Sequence, residues 1–386
     1  MANTLTLTGF TELLYQARDM VAAEPCAFVD SVLVNSGSEG VSINGTVQSF
    51  RTAQPTLNTS YTPAMTLPDG DDQTITVDTL TIDQVARVSI PFKGEVWKQI
   101  ENTAGREAVK NDMFAQAIRK MRNTIEAHVG TVIKNGASRA TGTAGTTPFA
   151  SNHNSINAVR QILVDNGAPV NDGMVSLVVN TAAGTNLRNL TNLYKVNEAG
   201  ESSLLRRGAL QDISGIVIKE SAGVASHTKG TGASYLVNQS GLTNGSTAIT
   251  TDTGSGTIVA GDILTFASGT GSGYNYVVNS ALASNVVTLA QPGLKGNIAD
   301  NNAITVGNDY TGNVAFHKNA VELVMRPPAM PQGGDAAADR MTMVDDKTGL
   351  VFEAALYLGY GMNVIELCVF YKAKVWKPEF VATLLG

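Results

Sequence analysis

Apolar residues recur at steps of three and four from about Thr103 to Asn135, where Phe114, Ile118, Met121, Ile125, Val129 and Val132 share one side of a helix. Gly136 follows as a C-cap. About thirty residues at 1.5 Å each predict a rod on the order of 45 Å, long for a globular domain and suited to an elongated subunit. A shorter helical pattern occupies residues 11 to 22, with Leu13, Leu14, Ala17 and Val21 on one side and Pro25 ending it. Between these two patterns, from about Val41 to Phe92, apolar and polar residues alternate. Ile75 and Val77, then Val88, Ile90 and Phe92, predict the strands of a hairpin. The polar stretch Asn58 to Gln73 carries Pro63, Pro68, Gly70 and three acids, Asp69, Asp71 and Asp72, and predicts a long exposed tip.

Beyond the long helix, a Gly/Thr/Ser linker runs from Ala137 to Thr147. A helix with Ile156, Val159, Ile162 and Leu163 follows and stops at Asn166-Gly167-Ala168-Pro169. The next elements are a strand at Met174 to Val179, an N-cap at Thr181, a helix around Leu187 to Tyr194 and a strand at Ile213 to Ile218. From about Ala225 to Gly312 the chain becomes rich in Gly, Thr, Ser and Asn. Short apolar runs recur there at Tyr235 to Val237, Ile263 to Phe266, Tyr274 to Val278, Val286 to Leu289 and Ile304 to Val306, the pattern of a small β-barrel or sandwich. It reads as an insertion, because an apolar strand resumes at Val321 to Met325. Gly349 to Tyr360 and Asn363 to Trp376 predict two long strands joined at Gly361.

Composition narrows the function. Hydrophobic residues are 43% of the 386 and charged residues 16%, below the roughly one quarter usual in soluble domains, so much of the surface is expected to face other subunits. A β-rich surface of Ser, Thr, Asn and Gly would give the same figures. A net charge of −6 with no Lys/Arg block argues against tight nucleic-acid binding, which needs clustered cations. Cys26 and Cys368 form no disulfide framework or metal motif, and a reducing cytosol is the simplest setting. The first residues do not read as a signal peptide, and no apolar run is long enough to span a membrane.

Catalytic chemistry needs converging titratable groups. His128, His153, His227 and His317 have no His or Cys at ligand spacing, and His128, beside Glu126, reads as a helix-surface imidazole. Gly269-Thr270-Gly271-Ser272-Gly273 lacks the lysine and the strand-to-helix setting of a phosphate loop, and reads as a hairpin tip. Arg206-Arg207 reads as a solvated pair or a subunit contact. No catalytic residue, cofactor site or metal site is expected.

Taken in order, an arm, an extended loop, a long helix, an α/β lobe, a β-rich segment and a returning sheet resemble the major capsid proteins of tailed bacteriophages with the Hong Kong 97-type fold. The segments that carry the likeness are Val178-Val179-Asn180-Thr181-Ala182-Ala183, Asp212 to Ile218, and Ala315-Phe316-His317-Lys318-Asn319-Ala320 before Arg326-Pro327. The β-rich segment makes the chain similar to the short-tailed branch whose coat carries an inserted domain. The resemblance implies an α+β fold divided into an N-terminal arm (1–44), an extended β-hairpin loop (45–92) and a spine helix with peripheral region (93–147). An axial α/β lobe (148–224), an inserted β-domain (225–312) and a return to the axial lobe and peripheral sheet (313–386) complete it. It further implies a self-assembling virion shell of hexamers and pentamers, built in the bacterial cytoplasm around double-stranded DNA contacted non-specifically. A scaffolding protein and a portal would be its partners, and no membrane.

In that family the extended loop lies over a neighbouring subunit, so Asp69, Asp71 and Asp72 are candidates to meet Arg119, Lys120 and Arg122 of the long helix. Some relatives join a lysine of this loop to a neighbour's asparagine; here no lysine precedes Lys93, and no such cross-link is expected. An encapsulin-like nanocompartment and, further off, a β-rich surface adhesin are the alternatives.

Overall fold

The computed structural model describes residues 26–37, 39–52, 75–95, 106–190, 212–344 and 349–386, with isolated positions between 57 and 66. The chain begins with β1 (Leu33–Ser36), β2 (Thr46–Thr52), β3 (Ile75–Thr81), β4 (Gln84–Lys93) and the long helix α1 (Arg106–Asn135). There follow β5 (Arg139–Gly142), α2 (Asn154–Asp165), β6 (Val175–Val179), α3 (Thr181–Arg188), β7 (Val217–Glu220) and β8 (Ser226–His227). Next are β9 (Tyr235–Val237), β10 (Ala248–Asp252), β11 (Ile263–Phe266), β12 (Asn275–Ala283), β13 (Val286–Leu289) and β14 (Ala303–Val306). Last come β15 (Tyr310–His317), β16 (Val321–Arg326), β17 (Ala337–Val344), β18 (Val351–Leu358), β19 (Met362–Val375) and β20 (Val381–Leu385). The fold is mostly β, with three α-helices among the described residues.

α1 forms where the apolar spacing predicts it. Phe114, Ile118, Met121, Ile125 and Val129 are buried on one face, and the next residue of that row is Ile133, one step of four on, while Val132 is only half-buried. This face lies on a six-stranded sheet in the order β1-β16-β19-β18-β17, with β4 along the other side of β19. Ile90, Phe92, Leu356, Ile365, Leu367, Val369 and Tyr371 complete that core.

The expected hairpin is divided. β2 and β3 pair with each other and with no other described strand, whereas β4 pairs with β19 over ten positions, from Gln84↔Tyr371 to Lys93↔Met362. The apolar face of β4 fits the α1 core, and Ile82, fully buried with Leu80 and Val324, fixes the point where ribbon becomes sheet.

The second sheet runs β5-β20-β15-β6-β7, with β8 against the start of β15. Its core takes Ile156, Val159 and Leu163 from α2, Leu177 from β6 and Leu187 from α3. Asn180, rather than Thr181, caps α3: its backbone is extended and its side chain accepts the Ala183 N–H at 2.9 Å. The helix ends at Arg188, with Asn189 as its C-cap, and residues 191–194 of the expected helix lie outside the described set. The expected strand at Ile213 to Ile218 is broken, because Ser214 and Gly215, at φ 55° and 75°, turn the chain between Ile213 and Ile216 before β7 begins.

Six short strands close on themselves in the order β11-β14-β9-β10-β13-β12 and back to β11, a closed barrel. Val237, Ile249, Leu264, Val287 and Tyr276 fill it; the Tyr276 hydroxyl donates to the Gly271 carbonyl and accepts the Lys295 N–H. Gly269 to Gly273 form the loop between β11 and β12. β5 joins the barrel to the second sheet, pairing with β12 on one side and β20 on the other. Among the described residues no helix is long and apolar enough to cross a membrane.

Candidate functional site

Among the expected contact residues, Arg119 and Lys120 lie on the exposed side of α1. Arg122 does not. It stands four residues after Ile118 and one after Met121, so the helix turns it inward, where it is 3% exposed and its Nε donates to Cys26 Sγ. A cation in that position cannot serve as a surface docking charge. Asp69, Asp71 and Asp72 lie outside the described residues, as do the amphipathic segment 11–22 and Arg206-Arg207.

One turn further along α1, Glu126 is also buried. Its Oε1 accepts the Phe28 N–H at 2.9 Å and the Ser221 hydroxyl at 2.8 Å, and its Oε2 accepts the Val29 N–H at 3.0 Å. A single carboxylate thus fastens residues 26–31 to the long helix, and Phe28 completes the anchor by stacking on Phe316 at 6.5 Å. Burial pushes the Glu126 carboxyl above the ordinary range despite these donors, and pushes the Cys26 thiol up to about 12.

The second buried network sits where the chain enters and leaves the barrel. His227 in β8 pairs with Tyr310 in β15. Asp262, fully buried at the end of the loop before β11, accepts from His227 Nε2 at 2.8 Å and from the backbone N–H groups of Gly230 and Val259. On the other ring nitrogen, Lys134 from the last turn of α1 lies 2.8 Å from Nδ1. The Tyr310 ring covers the site, 5.0 Å from the imidazole centroid and 5.6 Å from Lys134 Nζ, with its hydroxyl donating to the Gly261 carbonyl. The partners of His227 are 93 and 35 positions away, so no local spacing in the sequence marks the network.

Two of the other histidines, His128 and His317, also differ from surface imidazoles. His128 is half-buried edge-on to Tyr371, with ring centroids 5.3 Å apart, and burial lowers its pKa. His317 is buried; its Nε2 lies 2.7 Å from Asp172 Oδ2, and its Nδ1 accepts the Asn319 N–H. No group of three His, Cys, Asp or Glu among the described residues could hold a metal ion.

The face of the six-stranded sheet opposite α1 carries a cleft of about 300 Å³. In it Arg340 pairs with both Asp335 and Glu353, and Arg87 Nε meets Glu366 Oε1 at 2.9 Å. Both guanidinium groups are therefore committed to carboxylates. Cys368 lines the cleft with its thiol pushed up to about 11 by burial, which makes it a poor nucleophile at neutral pH. At one end of the same sheet the turn Gly359–Gly361 holds Tyr360 fully exposed.

No protein-family model matches the chain, and no curated protein matches it. Solved structures match over nearly its whole length. A chain of the bacteriophage PhiM1 mature capsid is 12% identical, with 94% of this chain and 87% of that chain covered and a TM-score of 0.47. A chain of the cyanophage P-SCSP1u capsid is 13% identical, with coverages of 93% and 87% and a TM-score of 0.46. The SrpI encapsulin of Synechococcus elongatus PCC 7942 is 9% identical, with coverages of 94% and 87% and a TM-score of 0.40. These chains share its outline at identities and scores too low to lend it a role.

Proposed function

We propose that this chain is a shell-forming subunit of capsid type, the major capsid protein of a tailed bacteriophage, which assembles with copies of itself around double-stranded DNA. The observation that carries the reading is the β2–β3 ribbon. It pairs with no third described strand, and its base packs through Val47 and Leu80 against Val324 and Trp376. Val77, further along, is 45% exposed. Two strands without a covered face are marginal in water, so the ribbon is expected to complete its packing on a neighbouring copy. A thirty-residue helix laid along a sheet supplies a stiff frame for such exchange, and the low proportion of charged residues suits a surface largely covered by other subunits. Hexamers, pentamers, a scaffolding protein and a portal follow from the family resemblance as part of the same proposal.

Negative-stain microscopy of the purified protein, alone and with a scaffolding partner, tests it. Closed shells are the expected result. A persistent monodisperse monomer under both conditions overturns the reading.

A further inference from the structure

We propose that Lys134, His227 and Asp262 form an acid-released latch that holds the neck of the barrel against the end of the long helix. Hydrogen-bond direction carries the inference. An ionised Asp262 can only accept, so His227 must carry a proton on Nε2. With the ring neutral, Nδ1 is then a lone pair, and it accepts from the Lys134 ammonium. The alternative arrangement, with the shared proton on the ring and a neutral amine accepting from Nδ1, has the same count. In either form one positive charge on the Lys134–His227 pair balances one negative charge on Asp262, and both ring nitrogens of His227 have a partner.

A second proton has no such place. It would set an ammonium and an imidazolium donor against each other at 2.8 Å, in a site where Lys134, His227, Asp262 and Tyr310 are 4%, 8%, 0% and 3% exposed. The titratable groups facing the pair are Asp262 from the barrel and Tyr310 from β15; Lys229 and Asp309 are exposed on the flanking residues. Tyr310 offers no relief, since burial pushes its ionisation further up. Asp262 has backbone donors of its own and does not need the extra charge. Lys134 points the same way, because burial lowers its pKa to about 8. A lysine whose folded value lies below its unfolded value gives up its proton on folding. Stability at the neck therefore falls as pH drops from the ordinary lysine value to about 8, and any further loss below pH 8 belongs to the second proton on the Lys134–His227 pair.

The packing leaves the latch little slack. A Cβ at Gly312 would stand 2.5 Å from Lys134 Cδ, and one at Gly261 would stand 3.1 Å from both Lys134 Nζ and His227 Cε1. The four groups come from the helix, the two strands at the barrel's mouth and the barrel itself, so opening here frees the barrel from α1 without unpairing the second sheet.

Hydrogen exchange of the full chain between pH 8 and pH 5 tests the latch. After correction for the intrinsic pH dependence of exchange, peptides covering residues 226–232 and 257–264 are expected to lose protection. The loss approaches about tenfold per pH unit for each proton taken up, while the peptide covering β6 stays constant. In K134M a protonated His227 can pair with Asp262 unopposed, and the loss should vanish or reverse. Flat protection at the neck of the wild-type protein, or an undiminished loss in K134M, overturns the proposal; the wild-type measurement decides even if the variant does not fold.

Discussion

The carboxylate of Glu126 accepts the backbone N–H of Phe28 at 2.9 Å, across 98 positions of sequence. E126Q keeps the shape but sets an amide N–H against a backbone donor, an expected loss of about 1–3 kcal/mol at pH 7. The pH dependence has a definite sign. Because burial raises the Glu126 carboxyl, the folded protein holds that proton more tightly than the unfolded chain. The linked stability is largest at low pH and declines as pH rises through the ordinary carboxylate range toward the raised value. E126Q cannot titrate there, so the gap between the two proteins in urea denaturation should widen from pH 7 to pH 5; a gap that narrows contradicts the assignment.

A fragment spanning residues 225–312 should fold by itself. The six barrel strands close through partners within the fragment, and most barrel core contacts are internal. A cooperative thermal transition and dispersed amide resonances are expected, while a collapsed amide spectrum would mean that β5 or α1 is needed to form the barrel.

With Arg122 buried, two of the three expected helix cations, Arg119 and Lys120, lie on the exposed side of α1. Each exposed pair contributes only about 0.2–1 kcal/mol, and salt screens it. Replacing Asp69, Asp71 and Asp72 by Asn should therefore slow shell assembly, followed by light scattering, at low ionic strength and leave it unchanged at high. Equal rates at both would remove these residues from the docking step.

Mature particles boiled in SDS should run as one band near 40.4 kDa. No lysine precedes Lys93 in the chain, and a guanidinium such as that of Arg51 or Arg87 is a poor nucleophile beside a lysine amine. A ladder that survives reducing agent would show that an amine reaches a neighbour from elsewhere, and Lys93, exposed at the end of β4, is the first to replace.

What could be read from the sequence is what repeats locally. α1 was legible because one apolar row persists from Phe114 to Ile133, and five of the six barrel strands because short apolar runs alternate with turn residues, whereas β10, Ala248–Asp252, with Ile249 as its one large apolar residue, was not. Pairing between distant segments left no such trace. Ile90 lies beside Ile365, a partner that no hairpin rule selects, and so the division between ribbon and sheet at Ile82 was missed. The contact set failed at Arg122 for a related reason: a charged residue in a helix reads as exposed until its position against Ile118 and Met121 is weighed. At the neck, three unremarkable residues become a network only when α1, β8 and the barrel meet.

β5 is four residues long, begins four residues after α1 ends, and is paired on both edges, with β12 of the barrel and β20 of the second sheet. A push on the barrel from outside would reach the sheet through ladders of backbone hydrogen bonds loaded in shear, with no slack tether to absorb it. A load on the barrel is thus carried through backbone pairing into β5, four residues from the end of α1.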